Sequence, residues 1–345
     1  DSGKVERYYH DPGQENSISA GTIWCISADA AGGWWIGTDQ GLDYLAPGKK
    51  TFTHYRHQAA NEASLLDNRV RSLLIDRKGQ LWVGSAEGLQ RMRSNRLGFE
   101  RVASGNPGPD SLAGQEVRAL FEAADGKLWL GLLREGAAWL EPDSASPQQL
   151  HRLLPDPANA NALSHGWVVA IAQAQADQIW LGTAGGGINI VNARDGKLIQ
   201  HVRANPGSNS SLAHDTIVPL LRDRAGLMWV GSWGGGLQHG NPQNRMVRAF
   251  WRNPVRPPGS NLQDARAMLE RRDGSIVLGS IGNGVKQLDL ASGTILPLRS
   301  GGNQALQNAT ILTLAEGADG TLWAGTKESG VWRWPPGAAD WQTTR

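Results

Sequence analysis

The sequence predicts an all-β chain, a seven-bladed β-propeller of four-stranded antiparallel sheets, on three observations: a Trp-x-Gly segment recurring in phase, a second signature at a fixed distance before it, and hairpin turn chemistry between the two. The segment reads WWIGTDQGL (34–42), LWVGSAEGL (81–89), LWLGLLREGAAWL (128–140), IWLGTAGGGI (179–188), MWVGSWGGGL (228–237), IVLGSIGNGV (276–285) and LWAGTKESGV (322–331). Its glycines, Gly37, Gly84, Gly131, Gly182, Gly231, Gly279 and Gly325, fall 46 to 51 residues apart. Repeats of that length made of short apolar stretches suit a propeller blade, whereas solenoid units of similar length are usually helical pairs. One propeller spanning 1–345, with blades centred on those glycines, is the expectation.

Each repeat is expected to open with a loop and a first strand. A small polar residue followed by Ile or Leu leads into an apolar stretch, as in SLLDNRVRSLLID (64–76). In six repeats the strand should start five residues after that anchor, as from Leu65 to Val70, Leu112 to Val117, Leu163 to Val168 and Leu212 to Ile217. The sixth repeat is two residues shorter there. Tight turns follow, because Asp76 with Gly79, Asp125-Gly126, Asp223 with Gly226, Asp273-Gly274 and Asp319-Gly320 supply positive φ or side-chain-to-backbone bonds.

The second strand ends in the Trp-x-Gly step. Trp35, Trp82, Trp129, Trp180, Trp229 and Trp323, with Val277 in the sixth repeat, are expected to pack between blades, and the glycine to let the strand leave toward the loop. In the third repeat Ala137-Ala138 replaces the usual Gly-Leu, so an irregular third strand is expected there. Fourth strands precede Asn/Asp-Pro steps at Asn106-Pro107, Asp156-Pro157, Asn205-Pro206 and Asn253-Pro254. The same step at Asp11-Pro12 follows Val5–Tyr9, so residues 5–9 should supply the outer strand of the last blade and close the ring.

Composition bounds the function. The 44 glycines and 15 tryptophans favour short strands and tight turns over long helices. A net charge of +2 from 34 basic and 32 acidic residues, spread without a basic stripe, argues against nucleic acid as a partner. Cys25 stands alone, so no internal disulfide forms, and no Cys/His spacing suggests zinc. No apolar run approaches the roughly 18 residues that cross a bilayer. Asp1 opens no basic and apolar leader, and the sequence reads as a soluble mature segment or an excised domain.

The Ser-Leu loop, the apolar strand and the run Asp-x-x-Gly-x-Leu-Trp-x-Gly-Thr/Ser-x-x-Gly-Leu together resemble the two-component regulator propeller repeat, over nearly the whole chain. The resemblance implies a periplasmic sensor region of a hybrid histidine kinase or GGDEF diguanylate cyclase, sensing oligosaccharides. In that family two propellers often stand in tandem before a β-sandwich and a membrane helix. One propeller without sandwich, helix or output domain departs from the plan, so signalling is implied for a fragment of a longer protein. Homodimerisation through that parent is implied as well, and no cofactor.

Site residues are expected on one face, where the loop leading into each first strand and the loop joining second to third strand lie together. Arg69, Glu116, His165, Trp167, His214 and Asp215 come from the first kind of loop, and Arg134, Trp233 and Lys327 from the second. Such a mixed polar rim with aromatic rings suits a carbohydrate or small polar ligand. Trp233 interrupts a glycine-rich loop and offers a stacking surface, or packs on a neighbour. Trp167 abuts Val168 and Val169, which favours packing. Arg71, Arg118 and Arg266 share one register, one residue into the first strand; facing a channel they would attract an anion such as a uronic acid, and otherwise they bridge to loop carboxylates.

His165 and His214 are equivalent positions lacking a third metal ligand, so loop hydrogen bonding is the stronger reading. No catalytic or metal residue is singled out. The glycine runs at 185–187 and 234–236 lack the Lys-Ser/Thr of a phosphate loop. Ligand-binding sensing is favoured over a propeller enzyme of lyase or glycosidase type, since no paired carboxylates stand out, and over a protein-interaction platform.

Overall fold

Seven four-stranded antiparallel sheets make up the computed structural model, each running first to fourth strand in sequence order except the last. It describes residues 6–94, 96–103, 111–142, 149–205, 211–243, 246–249, 264–290, 294–298 and 304–336. The first strands are Ile23–Ala28, Val70–Ile75, Val117–Glu122, Val168–Gln175, Ile217–Arg222, Ala265–Glu270 and Ile311–Glu316, which define blades 1 to 7. Each packs against the first strand of the next blade, and the seventh returns to the first. These innermost strands therefore close a ring. Among the described residues helix is confined to one turn, Gln304–Gln307, in the loop before blade 7.

The expected strand starts at Val70, Val117, Val168 and Ile217 are the observed ones. In blade 3, Ala137–Leu140 pairs regularly on both sides, so the irregularity expected there is absent. Two small alanines simply lie flat in the sheet. Closure also holds: Glu6–Tyr8 pairs with Val331–Trp334 as the outer strand of blade 7. Val5, Asn106-Pro107, Pro206 and Asn253-Pro254, named above, lie outside the described residues.

The repeated indoles sit between blades. Trp35, Trp82, Trp129, Trp180, Trp229 and Trp323 are 0–2% exposed, as is Val277 in their place. Trp35, for instance, shares a cluster with Leu65, Val70, Leu81 and Val83 of blade 2. The turn carboxylates fix some of them: Asp76 accepts from Trp82 Nε1 at 2.8 Å, and Asp223 from Trp229 Nε1 at 2.7 Å.

The glycine of the Trp-x-Gly step has a different role from the one expected. It lies inside the second strand, as in Trp34–Thr38 and Leu81–Ser85, and does not turn the chain. A Cβ on it would collide with the next blade. On Gly37 it would lie 2.7 Å from Val70, on Gly84 2.9 Å from Val117, on Gly182 2.9 Å from Ile217, on Gly231 2.8 Å from Ala265, and on Gly279 2.7 Å from Ile311. On Gly325 it would meet Ile23 at 2.5 Å, and on Gly131 the Val168 carbonyl. Each partner opens the next first strand, so the glycine sets how closely blades approach.

Buried polar side chains on the third strands anchor the lead-in loops. Gln90 Oε1 accepts from Leu66 N, Asn189 Oδ1 from Ser164 N and Gln238 Oε1 from Ala213 N. In blade 1 the fully buried Asp43 does this for Ser19, at 2.7 Å to its backbone N–H and 2.6 Å to Oγ. His54 Nδ1 lies 2.6 Å from the same carboxylate and Nε2 2.9 Å from the Glu15 carbonyl. Both ring nitrogens face oxygen acceptors, an arrangement that favours the protonated imidazole.

Two measurements check this packing. Gly182→Ala should cost about 1–3 kcal/mol in urea unfolding, from overpacking against Ile217. The Asp43 hydrogen bond raises the His54 pKa above its ordinary 6.5. Its stabilisation is thus complete below about pH 6.5 and fades as pH rises through the folded-state value. Unfolding free energies across that range should fall for the native chain, and His54→Ala should remove that slope.

Candidate functional site

All seven first strands break their ladder at the same place. Register shifts fall at Ile23/Cys25, Val70/Ser72, Val117/Ala119, Val168/Ala170, Ile217/Leu220, Ala265/Ala267 and Ile311/Thr313. A bulge frees one residue from pairing and re-aims its side chain. The residues so released are Trp24, Arg71, Arg118, Val169, Val218 with Pro219, Arg266 and Leu312. Antiparallel order puts them at the end of the ring that also bears the lead-in and second-to-third-strand loops.

Contacts across blades show that Trp24, Arg71 and Arg118 reach inward. Arg71 and Arg118 both lie over the Trp24 ring, at 4.5 and 5.4 Å, although blades 1 and 3 are not neighbours. Burial and the charge of Arg118 depress the pKa of Arg266. Blades 3 and 6 stand across the ring, and Arg118 and Arg266 hold matching bulge positions on them. Burial likewise lowers the pKa of Arg118.

Of the three register-matched arginines, two are bridged by loop carboxylates. Arg71 Nη1 sits 2.5 Å from Asp39 and its Nε 3.3 Å from Glu116; Arg118 Nε sits 2.5 Å from Glu116. Asp39 also accepts from Trp24 Nε1 at 2.9 Å. Arg266 has no ion pair or hydrogen bond among the described residues. The nearest carboxylate in sequence, Asp264, is turned to the Gly234 N–H at 2.5 Å.

Around this ring the rim is built by hydrogen bonds. Arg69 is exposed and pairs with Asp67 at 2.8 Å and Glu87 at 3.5 Å. Arg134 is exposed too, in a left-handed turn with φ 78°. His165 Nδ1 accepts from Trp167 N, and His214 Nδ1 from Thr216 N. Asp67 Oδ1 accepts from Arg69 N in the same way, so the two histidines stand in a turn-capping position. Asp215 accepts from Ala204 N at 2.7 Å, and its carbonyl holds Gly185 and Gly187. Lys327 lies on the rim beside Glu328, its carbonyl accepting from Thr22 Oγ1 at 2.6 Å.

Trp233 is 54% exposed and Trp167 39% exposed, on loops of adjacent blades. Among the described residues Trp233 is pinned through its backbone, its N–H donating to the Thr216 carbonyl. Among the described residues no group of three or more His, Cys, Asp or Glu is placed to hold a metal ion. A separate cavity of about 770 Å³ opens between blades 3 and 4, between Trp139, His151, Leu154 and Lys197. Sequence reasoning missed Trp24, although its place one residue into the first strand matches Arg71.

Residues 64–87 match the family model for the two component regulator propeller. The chain carries a regulator-propeller repeat. No curated protein matches the chain. Among solved structures it is similar to the extracellular domain of a chain assigned to a hybrid two component system of B. thetaiotaomicron, with 22% identity and a TM-score of 0.76 over 97% of this chain and 41% of that one. A one component system of the same organism gives 18% and 0.72, over 96% and 40%. Virginiamycin B lyase from Staphylococcus aureus gives 12% and 0.66, over 96% and 98%. At these identities the likeness is one of fold. The chain spans about two-fifths of the length of those extracellular domains.

The bridge between blades 2 and 3 is testable as a unit. Arg71→Gln leaves Asp39 and Glu116 short of a partner in a half-buried site and should cost about 1–3 kcal/mol. Adding Glu116→Gln should cost less than the sum of the single changes in a denaturation double-mutant cycle.

Proposed function

We propose that this chain is an extracytoplasmic ligand-binding module of a sensor protein, taking a carbohydrate or other small polar ligand on the loop face. The observation behind this reading is the pair of exposed indoles, Trp167 and Trp233, held on neighbouring loops of a rigid ring beside polar side chains. A monomeric surface has little reason to expose two large rings on one face unless they meet something. Indole faces pack against the C–H faces of sugars, while Arg69, Arg134, His165, His214 and Asp215 offer hydrogen-bonding groups around them.

The regulator-propeller repeat and the likeness to extracellular domains of two component systems support sensing and an extracytoplasmic, periplasmic setting. In a sensor of that kind the chain's partners are the ligand and a second copy of the parent protein. Conversion of the ligand has no comparable support from the loop face.

Thermal-shift and calorimetric titration against panels of acidic and neutral oligosaccharides test the proposal. A saturable shift is expected, with affinity falling about tenfold or more in Trp233→Ala. Product formation would point to an enzyme. Silence across the panel together with self-association in light scattering would point to an interaction platform.

A further inference from the structure

We infer that the ring axis on the loop face is a site for a single carboxylate, held between Arg118 of blade 3 and Arg266 of blade 6. The inference rests on the reading of the loop face as the ligand-binding face and names the chemistry that its centre selects.

Charge balance is the first argument. Arg71 and Arg118 share Asp39 and Glu116, and Arg266, at the same register, adds a third cation with no carboxylate paired to it among the described residues. The second is which nitrogens are taken. Arg71 spends Nη1 on Asp39 and Nε on Glu116, while Arg118 has Glu116 as its one ion-pair partner among the described residues, closest at Nε, which makes no aligned hydrogen bond. Arg266 has no ion pair or hydrogen bond among the described residues.

Arg118 and Arg266 hold the same bulge position on blades that stand across the ring, two like charges at one mouth, and Arg266 is paired with no carboxylate among the described residues. Such an arrangement is unfavourable in itself and becomes favourable when a carboxylate enters, because its two oxygens match the guanidinium fork. Rigidity is supplied beforehand, since Trp24 lies against both Arg71 and Arg118 and Glu116 ties those two together. Val169, Val218 and Leu312 fill the remaining bulge positions. They add no competing charge and offer an apolar wall to the body that bears the carboxylate.

With the loop face read as a saccharide surface, the ligand class is a carboxylate-bearing sugar. Calorimetric titration with sodium glucuronate, glucose and sodium propionate separates the contributions. Glucuronate should bind about tenfold or more tighter than glucose, with propionate showing the carboxylate term alone. Arg266→Gln should bring glucuronate down to the glucose level while the unliganded melting temperature stays or rises, because a cation facing Arg118 has been removed. A purely structural arginine would lower it.

Equal affinity for glucuronate and glucose, an unchanged preference in Arg266→Gln, or no carboxylate binding at about 10 mM would overturn the axial site. If Trp233→Ala still weakened sugar binding in those cases, the loop-face reading would stand without it. If Arg266→Gln abolished glucuronate binding and Trp233→Ala did not touch it, the axial site would stand and the stacking role of the rim would fall.

Discussion

The spacing of the blades depends on seven close approaches between a second-strand glycine and the first residue of the next first strand. Hydrophobic burial of the indoles holds neighbouring sheets together, but it tolerates a range of distances. The absence of a side chain at Gly37 and its six counterparts removes that latitude. With the inner strands brought this near, one residue per blade has room only at the axis. The bulges place Trp24, Arg71, Arg118 and Arg266 there, so the chemistry of the mouth is a consequence of the packing beneath it.

The rim is stiffened by a second device, the buried polar position on the third strand. Gln90, Asn189 and Gln238 each satisfy a backbone N–H of their own blade's lead-in loop, and Asp43 does so with His54 beside it. Loops carrying unpaired backbone groups so near the core would otherwise be costly. Trp167 stands on a loop anchored in this way, and the loop of Trp233 is tied separately through its own N–H to Thr216 and through Gly234 to Asp264, so little ordering is left for a ligand to supply.

The periodic part of this structure was legible in the sequence because each blade repeats its own requirements. Strand starts, turn carboxylates, buried indoles and the closing strand all follow from residues compared within one repeat or from one repeat to the next. The site was legible only in register. That Arg71, Arg118 and Arg266 belong together could be seen; that Glu116, 45 positions from Arg71, satisfies two of them could not, because the pairing crosses blades. Trp24 was overlooked because it breaks the basic pattern of its register. The glycines were misread because a turn and a tight contact ask for the same residue, and only the neighbouring blade tells them apart.

Glu6–Tyr8 and Val331–Trp334 join residues as far as 327 positions apart, by a ladder of three paired residues. Their antiparallel register puts Glu6 beside Arg333, at the end of the ring opposite the arginine cluster. Tension applied between the two strands from that end would load the bonds one after another, a zipper geometry that yields at low force, whereas the other sheets are continuous in sequence. The ring is in this sense a clasped bracelet. Its clasp lies where attached domains would pull, and its jewelled side is left facing away from them.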